Sequence, residues 1–311
     1  VVIPVVHHPA YVSAAHANSP TQLSKNGLLR DLLRNEGEHL GWFEPEPMPR
    51  AWLEAVHDPE YIAEVLEARV PAEKARRIGF PVTAAVAERS RHVVGGTWLA
   101  GRLALDHGYA ANTAGGSHHA LAATGSGYCV LNDLAVAAVR LVEEGRVERL
   151  LVVDCDVHQG DGTASLCAGR DGIATYSIHA EKNFPARKAC STLDVALPDG
   201  TGDAAYLHAL EESLAPLLDS VRPQLILYQA GVDPFGGDRL GRLALTEAGL
   251  IARETLVARL AITRGIPLAS TVGGGYGADT AAIAARHATA ILTLARSYAG
   301  ASLEPGQRIP T

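Results

Sequence analysis

The chain alternates between short, unbroken apolar runs and longer stretches with helical spacing. Val1–Val6, Arg149–Val153 (RLLVV), Gln224–Gln229 (QLILYQ) and Pro267–Val272 (PLASTV) predict strands, and Ala110–Thr113 predicts a further extended piece. Residues 19–35, 58–69, 81–107, 132–144, 204–221, 246–264 and 279–297 predict helices. Asp58-Pro59 supplies an N-cap and a first-turn proline, Asn132-Asp133 and Asp279 cap later helices, and Gly145 ends one. Gly95-Gly96 predicts an interruption of the helix at 81–107.

Strands of near-continuous aliphatic character, separated by helices, predict a central parallel sheet flanked by helices on both faces. No low-complexity linker or repeat divides the 311 residues. The expectation is one α/β domain over 1–311, with a frayed tail after Gly300.

Composition adds little to this and contradicts none of it. Hydrophobic residues make up 47% and charged residues 20%, enough apolar content for a sizeable core. A formal charge of −7 argues against a nucleic-acid groove, which carries a basic surplus. No segment approaches the about 20 apolar residues of a membrane helix. The start, VVIPVVHHP, lacks the basic region of a signal peptide, so a cytoplasmic location is expected. Cys129, Cys155, Cys167 and Cys190 show no CxxC spacing, and Cys129 and Cys155 read as reduced, buried thiols.

In a sheet of this kind, ligands bind beyond the carboxyl ends of the strands. The polar residues fall there. Asp154, Asp156, His158 and Asp161 follow RLLVV, Gly231-Val232-Asp233 follows QLILYQ, Gly273–Tyr276 follows PLASTV, and His118-His119 follows Ala110–Thr113 through Gly115-Gly116. In an extended segment Asp154, Asp156 and His158 share one face while Cys155 and Val157 face the packing side. Carboxylates buried together repel and take up protons. A divalent cation relieves this, and Asp with His is a suitable ligand mixture. A cluster of helix-capping acids is the other reading, and the motif alone does not decide between them.

Asp233 favours the metal. Two carboxylates and one imidazole (Asp156, His158, Asp233) leave a tetrahedral position open, as catalytic zinc sites do, with Asp154 behind them. His118 and His119 add acid–base capacity, and Asp154 and Asp161 remain to orient the rings. The glycines of VGGGYG could cradle a phosphate, but the spacing is not a phosphate-loop spacing. Delivery of the Tyr276 phenol to a developing oxyanion is the preferred reading.

GGSHHA at 115–120, GSGYCVLND at 125–133, DCDVHQGDG at 154–162, SIH at 177–179, AGVDPFGGDRLG at 230–241 and GGGY at 273–276 together resemble the zinc-dependent histone deacetylase family. The HQGDG form, GDRLG and the compact length look most like its class IV branch and bacterial relatives. The resemblance implies the arginase/deacetylase fold and Zn²⁺ on Asp156, His158 and Asp233. It pairs His118 with Asp154 and His119 with Asp161, makes His119 the general base and later acid, and gives His118 a mainly electrostatic role. Tyr276 is implied as carbonyl-oxygen donor, the Gly127 carbonyl as acceptor of the substrate amide, and Tyr128 and Phe184 as channel walls. A structural K⁺ is implied on Asp154, Asp156, His158, Ser177 and Ile178.

Two departures stand out. The loop RRIGFPVT at 76–83 lacks the rim aspartate of class I enzymes, and Tyr128 stands where many relatives have Phe. The implied activity is removal of acetyl or longer acyl groups from lysine side chains in a peptide or protein. Deacylation of acetylpolyamines or another small acylated amine is the nearest alternative. A binuclear ureohydrolase of the arginase kind and a non-catalytic acyl-binding module are the others. The oligomeric state is not readable from the sequence.

Overall fold

The structure is a computed structural model, and it describes residues 2–12, 24–36 and 39–301. Eight parallel strands form one sheet: β1 (Ile3–Val6), β2 (Leu40–Phe43), β3 (Tyr109–Asn112), β4 (Leu150–Asp154), β5 (Ile173–Ala180), β6 (Leu193–Leu197), β7 (Leu225–Gln229) and β8 (Leu268–Thr271). Their order is β2-β1-β3-β8-β7-β4-β5-β6.

The central strands divide their side chains between two layers, as period-two alternation requires. Leu151, Val153, Ile226 and Tyr228 pack into one core, while Leu150, Val152, Leu225 and Leu227 pack into the other. The first core is covered by α1 (Ser24–Glu36), α8 (Asp203–Val221), α9 (Glu247–Ile262) and α10 (Thr280–Ala301). The second lies under α5 (Ala84–His107) and α6 (Asp133–Glu143). The short helices α2 (Arg50–Glu54), α3 (Pro59–Leu66), α4 (Ala72–Ile78) and α7 (Asp161–Cys167) extend that side. The expected architecture is observed: a parallel sheet, two apolar layers, one domain.

Several boundaries hold for the expected reasons. Asp58 accepts from the Glu60 and Tyr61 amides, Asn132 from Ala135, and Asp279 from Ala282. One expectation is corrected. The Gly95-Gly96 pair does not interrupt α5, which runs unbroken from Ala84 to His107. A Cβ at Gly95 would lie 2.1 Å from the Glu46 carbonyl oxygen, and one at Gly96 would lie 2.1 Å from the Tyr11 hydroxyl. The glycines let other chain segments cross the helix closely. Residues 19–23 of the first expected helix, Val1 of the first strand and the tail from 302 lie outside the described residues.

Candidate active site

All eight strands point the same way, so the loops after β3, β4, β7 and β8 converge at one end. Asp154 closes β4, in register with Ser177 on β5 and Gln229 on β7. Beyond it the carboxylates fold the chain locally: the Asp156 amide donates to Asp154 Oδ1 (3.1 Å) and the His158 amide to Asp156 Oδ1 (3.1 Å). Cys155 and Val157 turn into the apolar core, leaving the acidic residues and His158 on the opposite face.

Asp156, His158 and Asp233 offer ligand atoms within 4.8 Å of one another, and all three are buried. His158 Nδ1 lies 3.0 Å from Asp156 Oδ1 and 3.3 Å from Asp233 Oδ2. Asp156 Oδ2 accepts from the Gly274 amide (2.9 Å) and from Gln229 Nε2 (2.6 Å), and Asp233 Oδ1 accepts from the Val157 amide (2.9 Å). Asp233 Oδ2 is buried and accepts no hydrogen bond among the described residues. An orphaned carboxylate oxygen beside a carboxylate and an imidazole is what a divalent cation would satisfy. The donor set therefore fits Zn²⁺. Only glycine suits position 274, where a Cβ would lie 2.0 Å from Asp233 Oδ2.

Burial opposes charge on every member of this group, and the neighbours decide the outcome. Against its own desolvation, His158 is raised to about 10 by its contacts with Asp156 and Asp233. Asp156 is held well below the usual carboxylate range by His118 and His158, despite burial. Burial and the adjacent Asp156 charge push Asp233 up to about 7.

The two histidine rings lie 4.0 Å apart between centroids, tilted by 47°, each with its own carboxylate. His118 Nδ1 lies 2.6 Å from Asp154 Oδ2, and His119 Nδ1 lies 2.7 Å from Asp161 Oδ1 at the start of α7. Their environments drive them apart. Burial would lower His118, but Asp154 and Asp156 raise it to about 9. His119 is lowered to about 3 by burial and by the His118 charge. One ring is thus suited to hold a proton and its neighbour to be bare.

Tyr276 is half-buried, with its ring centroid 6.4 Å from that of His158 and 5.9 Å from that of Tyr128. Its amide donates to Asp238 Oδ2 (2.6 Å). Burial, then the Asp156 and Asp233 charges, keep its phenol protonated well above the ordinary range. Gly127 (φ +51°) packs against His119, and a Cβ there would come within 2.6 Å of the ring. A cavity of about 90 Å³ is lined by His118, His119, Gly127, Tyr128, Asp156 and Tyr276 among others. Phe184 is not part of that lining; it packs edge-on against His119 at 4.8 Å and is 42% exposed. Ser177 and Ile178 lie on β5, with Ser177 beside the end of β4.

The structure adds supports that sequence reasoning missed. Asp133, read as a helix-capping residue, accepts from Thr97 Oγ1 (2.6 Å) and from the Gly116 and Ser117 amides (3.0 and 2.7 Å), fixing the loop that carries the histidines. Gln229 ties Asp156 to that loop by donating from Nε2 to the Gly116 carbonyl (3.3 Å) as well. From α9, the fully buried Arg253 donates through Nη1 to the carbonyls of Cys155 (3.1 Å) and Gly231 (2.7 Å). It holds together, from behind, the two segments that supply Asp156, His158 and Asp233. Lys25 on α1 donates to the Gly273 carbonyl (3.1 Å) in the Tyr276 loop. In the sequence Arg253-Glu254 looks like any charged pair on a helix, and no local signal marks it.

Comparison with known proteins agrees with this geometry. Residues 6–292 match the histone deacetylase domain family. An uncharacterised protein of Picosynechococcus sp. is 44% identical over 286 residues, 91% of this chain and 95% of its own length. Histone deacetylase 2 of Arabidopsis thaliana is 30% identical over 277 residues, covering 86% of this chain and 72% of that protein. A protein of Archaeoglobus fulgidus named "Probable deacetylase" is 30% identical over 268 residues, 79% of this chain and 73% of its own length.

Proposed function

The chain belongs to the histone deacetylase family, and from that premise we propose that it hydrolyses the amide of an acylated lysine side chain, with Zn²⁺ held by Asp156, His158 and Asp233. The observation that carries this reading is the gathering of two histidine–carboxylate pairs and the Tyr276 ring around one buried Asp-His-Asp group. When bound, Zn²⁺ would supply Lewis acidity, lowering the pKa of water to about 7 and polarising the substrate carbonyl.

The protein's residues divide the remaining work. Asp161 fixes the His119 ring with Nδ1 protonated and Nε2 bare. His119 Nε2 takes a proton from the attacking water and returns it to the leaving amine, whose C–N bond then breaks. His118, charged beside Asp154, acts mainly through its field. The Tyr276 O–H donates to the carbonyl oxygen as that atom becomes anionic. The Gly127 carbonyl accepts the substrate amide N–H, and Tyr128 and Phe184 wall the lysine stem. A K⁺ on Asp154, Asp156, His158, Ser177 and Ile178 would offset part of the carboxylate charge; the Asp154–Ser177 register supports it.

The test is a chain-length series of acyl-lysine peptides, run beside an acetylpolyamine on protein of measured metal content. One zinc equivalent, loss of turnover on chelation and recovery with Zn²⁺ are expected. Two catalytic metal equivalents with hydrolysis of a guanidino substrate would instead favour a ureohydrolase. Ligand binding without product in the zinc-loaded protein would favour a binding module.

A further inference from the structure

Beside the cavity mouth runs an open groove whose charged lining is Arg77, Arg187 and Lys188 against one carboxylate, Asp161. Asp161 is buried and engaged by His119, so the charge presented to solvent is positive. This local surplus opposes the bulk of the chain, which carries −7. Arg77 and Arg187 are exposed, and neither forms an ion pair among the described residues.

The groove is built into the site. The Arg77 and Ile78 carbonyls accept from the Gly127 and Tyr128 amides (3.1 and 2.8 Å), tying the end of α4 to the channel wall. Lys188 Nζ donates to the Asn183 and Pro185 carbonyls (2.6 Å each), pinning the loop that presents Phe184. Phe184 lines the groove and touches His119. The chain flanking a lysine inserted at Phe184 would therefore cross unpaired arginines. A carboxylate there meets complementary charge, and a cation meets like charge.

We propose that this groove reads acidic residues flanking the acylated lysine, making acidic acyl-peptides the favoured substrates and polycationic acetylated amines disfavoured ones. The proposal rests on the lysine-deacylase reading of the site. It also accounts for a rim that lacks an aspartate to hold the peptide backbone: side-chain charge on the substrate takes over part of the positioning.

Three fluorescent acetyl-lysine peptides of equal length, flanked by Asp/Glu, Ala/Gln or Lys/Arg, test it on the zinc-loaded full chain. Binding is read by anisotropy and turnover by product release, with N-acetylspermidine as a fourth substrate. Exposed ion pairs are each worth roughly two- to fivefold. The acidic peptide should therefore bind about five- to tenfold more tightly than the neutral one, mainly in Kd and KM rather than kcat, with the basic peptide and the polyamine weakest. The gap should shrink to within about twofold at 1 M salt, where the Debye length is about 3 Å. It should shrink likewise in Arg77→Gln/Arg187→Gln and in Arg187→Glu, and Arg77→Glu/Arg187→Glu, which leaves only Lys188 against two new carboxylates, should reverse the order. Charge-blind ranking, or ranking unmoved by these variants, overturns the groove. Charge-ranked binding without hydrolysis of any peptide supports the groove and overturns the deacylase reading instead.

Discussion

Removing the Arg253 charge is the sharpest test of how the site is supported. Arg253 is 0% exposed and paired with Glu254, whose other oxygen accepts from the Tyr228 hydroxyl at 2.7 Å. Arg253→Met keeps a stem of similar length but strands a buried carboxylate and leaves the Cys155 and Gly231 carbonyls without their donor. Removing one partner of a buried pair costs about 3–5 kcal/mol. Against a total of about 5–15 kcal/mol, that places the variant near the folding threshold. Adding Glu254→Gln removes the stranded charge and keeps an acceptor for Tyr228. What then remains is two unsatisfied carbonyls, at about 1 kcal/mol each on the low side. The double variant should therefore be more stable than the single one, with a loss of about 2 kcal/mol. Urea unfolding with an unchanged m-value measures this, and chelator competition for Zn²⁺ on the folded double variant reads the effect on the ligand loops. A single variant that loses less than about 1 kcal/mol, or a double variant no better than the single, would refute the clamp.

Three further outcomes are expected. Tyr276→Phe should retain its metal content while kcat falls about 100-fold or more, and near-normal turnover would remove the oxyanion role. His119→Ala should abolish hydrolysis while His118→Ala impairs it; equal, mild effects from both would defeat that division of labour. Stability should fall with acid through His57, which burial lowers from 6.5 to about 4 while it bridges the Leu121 carbonyl and the Asn132 amide. The unfolded chain binds that proton first, so the contribution is complete above pH 6.5 and is lost as pH falls toward 4. At about 1.36 kcal/mol per pKa unit this amounts to about 3 kcal/mol, and His57→Gln should flatten the decline in urea titrations at pH 7, 5.5 and 4.5.

The strands legible in the sequence were those buried on both faces. LLVVD, LILYQ and LAST lie in the middle of the sheet, where both neighbouring layers demand apolar side chains. The edge strands β2 and β6 escaped notice because they are largely half-buried, and Gly41 in one and Asp194 in the other interrupt a short apolar run. β5 escaped for another reason: Thr175, Ser177 and His179 interrupt its apolar run although all three are buried. The expected ligand and histidine residues are gathered in one place because acids and imidazoles are conspicuous after aliphatic strands. Asp133, Gln229 and Arg253 were not legible as supports. Their partners are backbone atoms or side chains distant in sequence, and no local spacing encodes such contacts.

A uniformly parallel sheet also gives the molecule a permissive end. The turns that enter β4 and β8 lie opposite the site, and both contain a glycine, Gly145 (φ +64°) and Gly265 (φ +65°), around which a Cβ would meet nothing within 4 Å, so the backbone conformation and not space is what favours glycine there. Gly127 and Gly274, at the working end, have no such room. Extra residues, a fluorophore or a fused partner grafted at 145 or 265 would ride on the far side of the sheet. The same addition at 127 or 274 would intrude on His119 or Asp233.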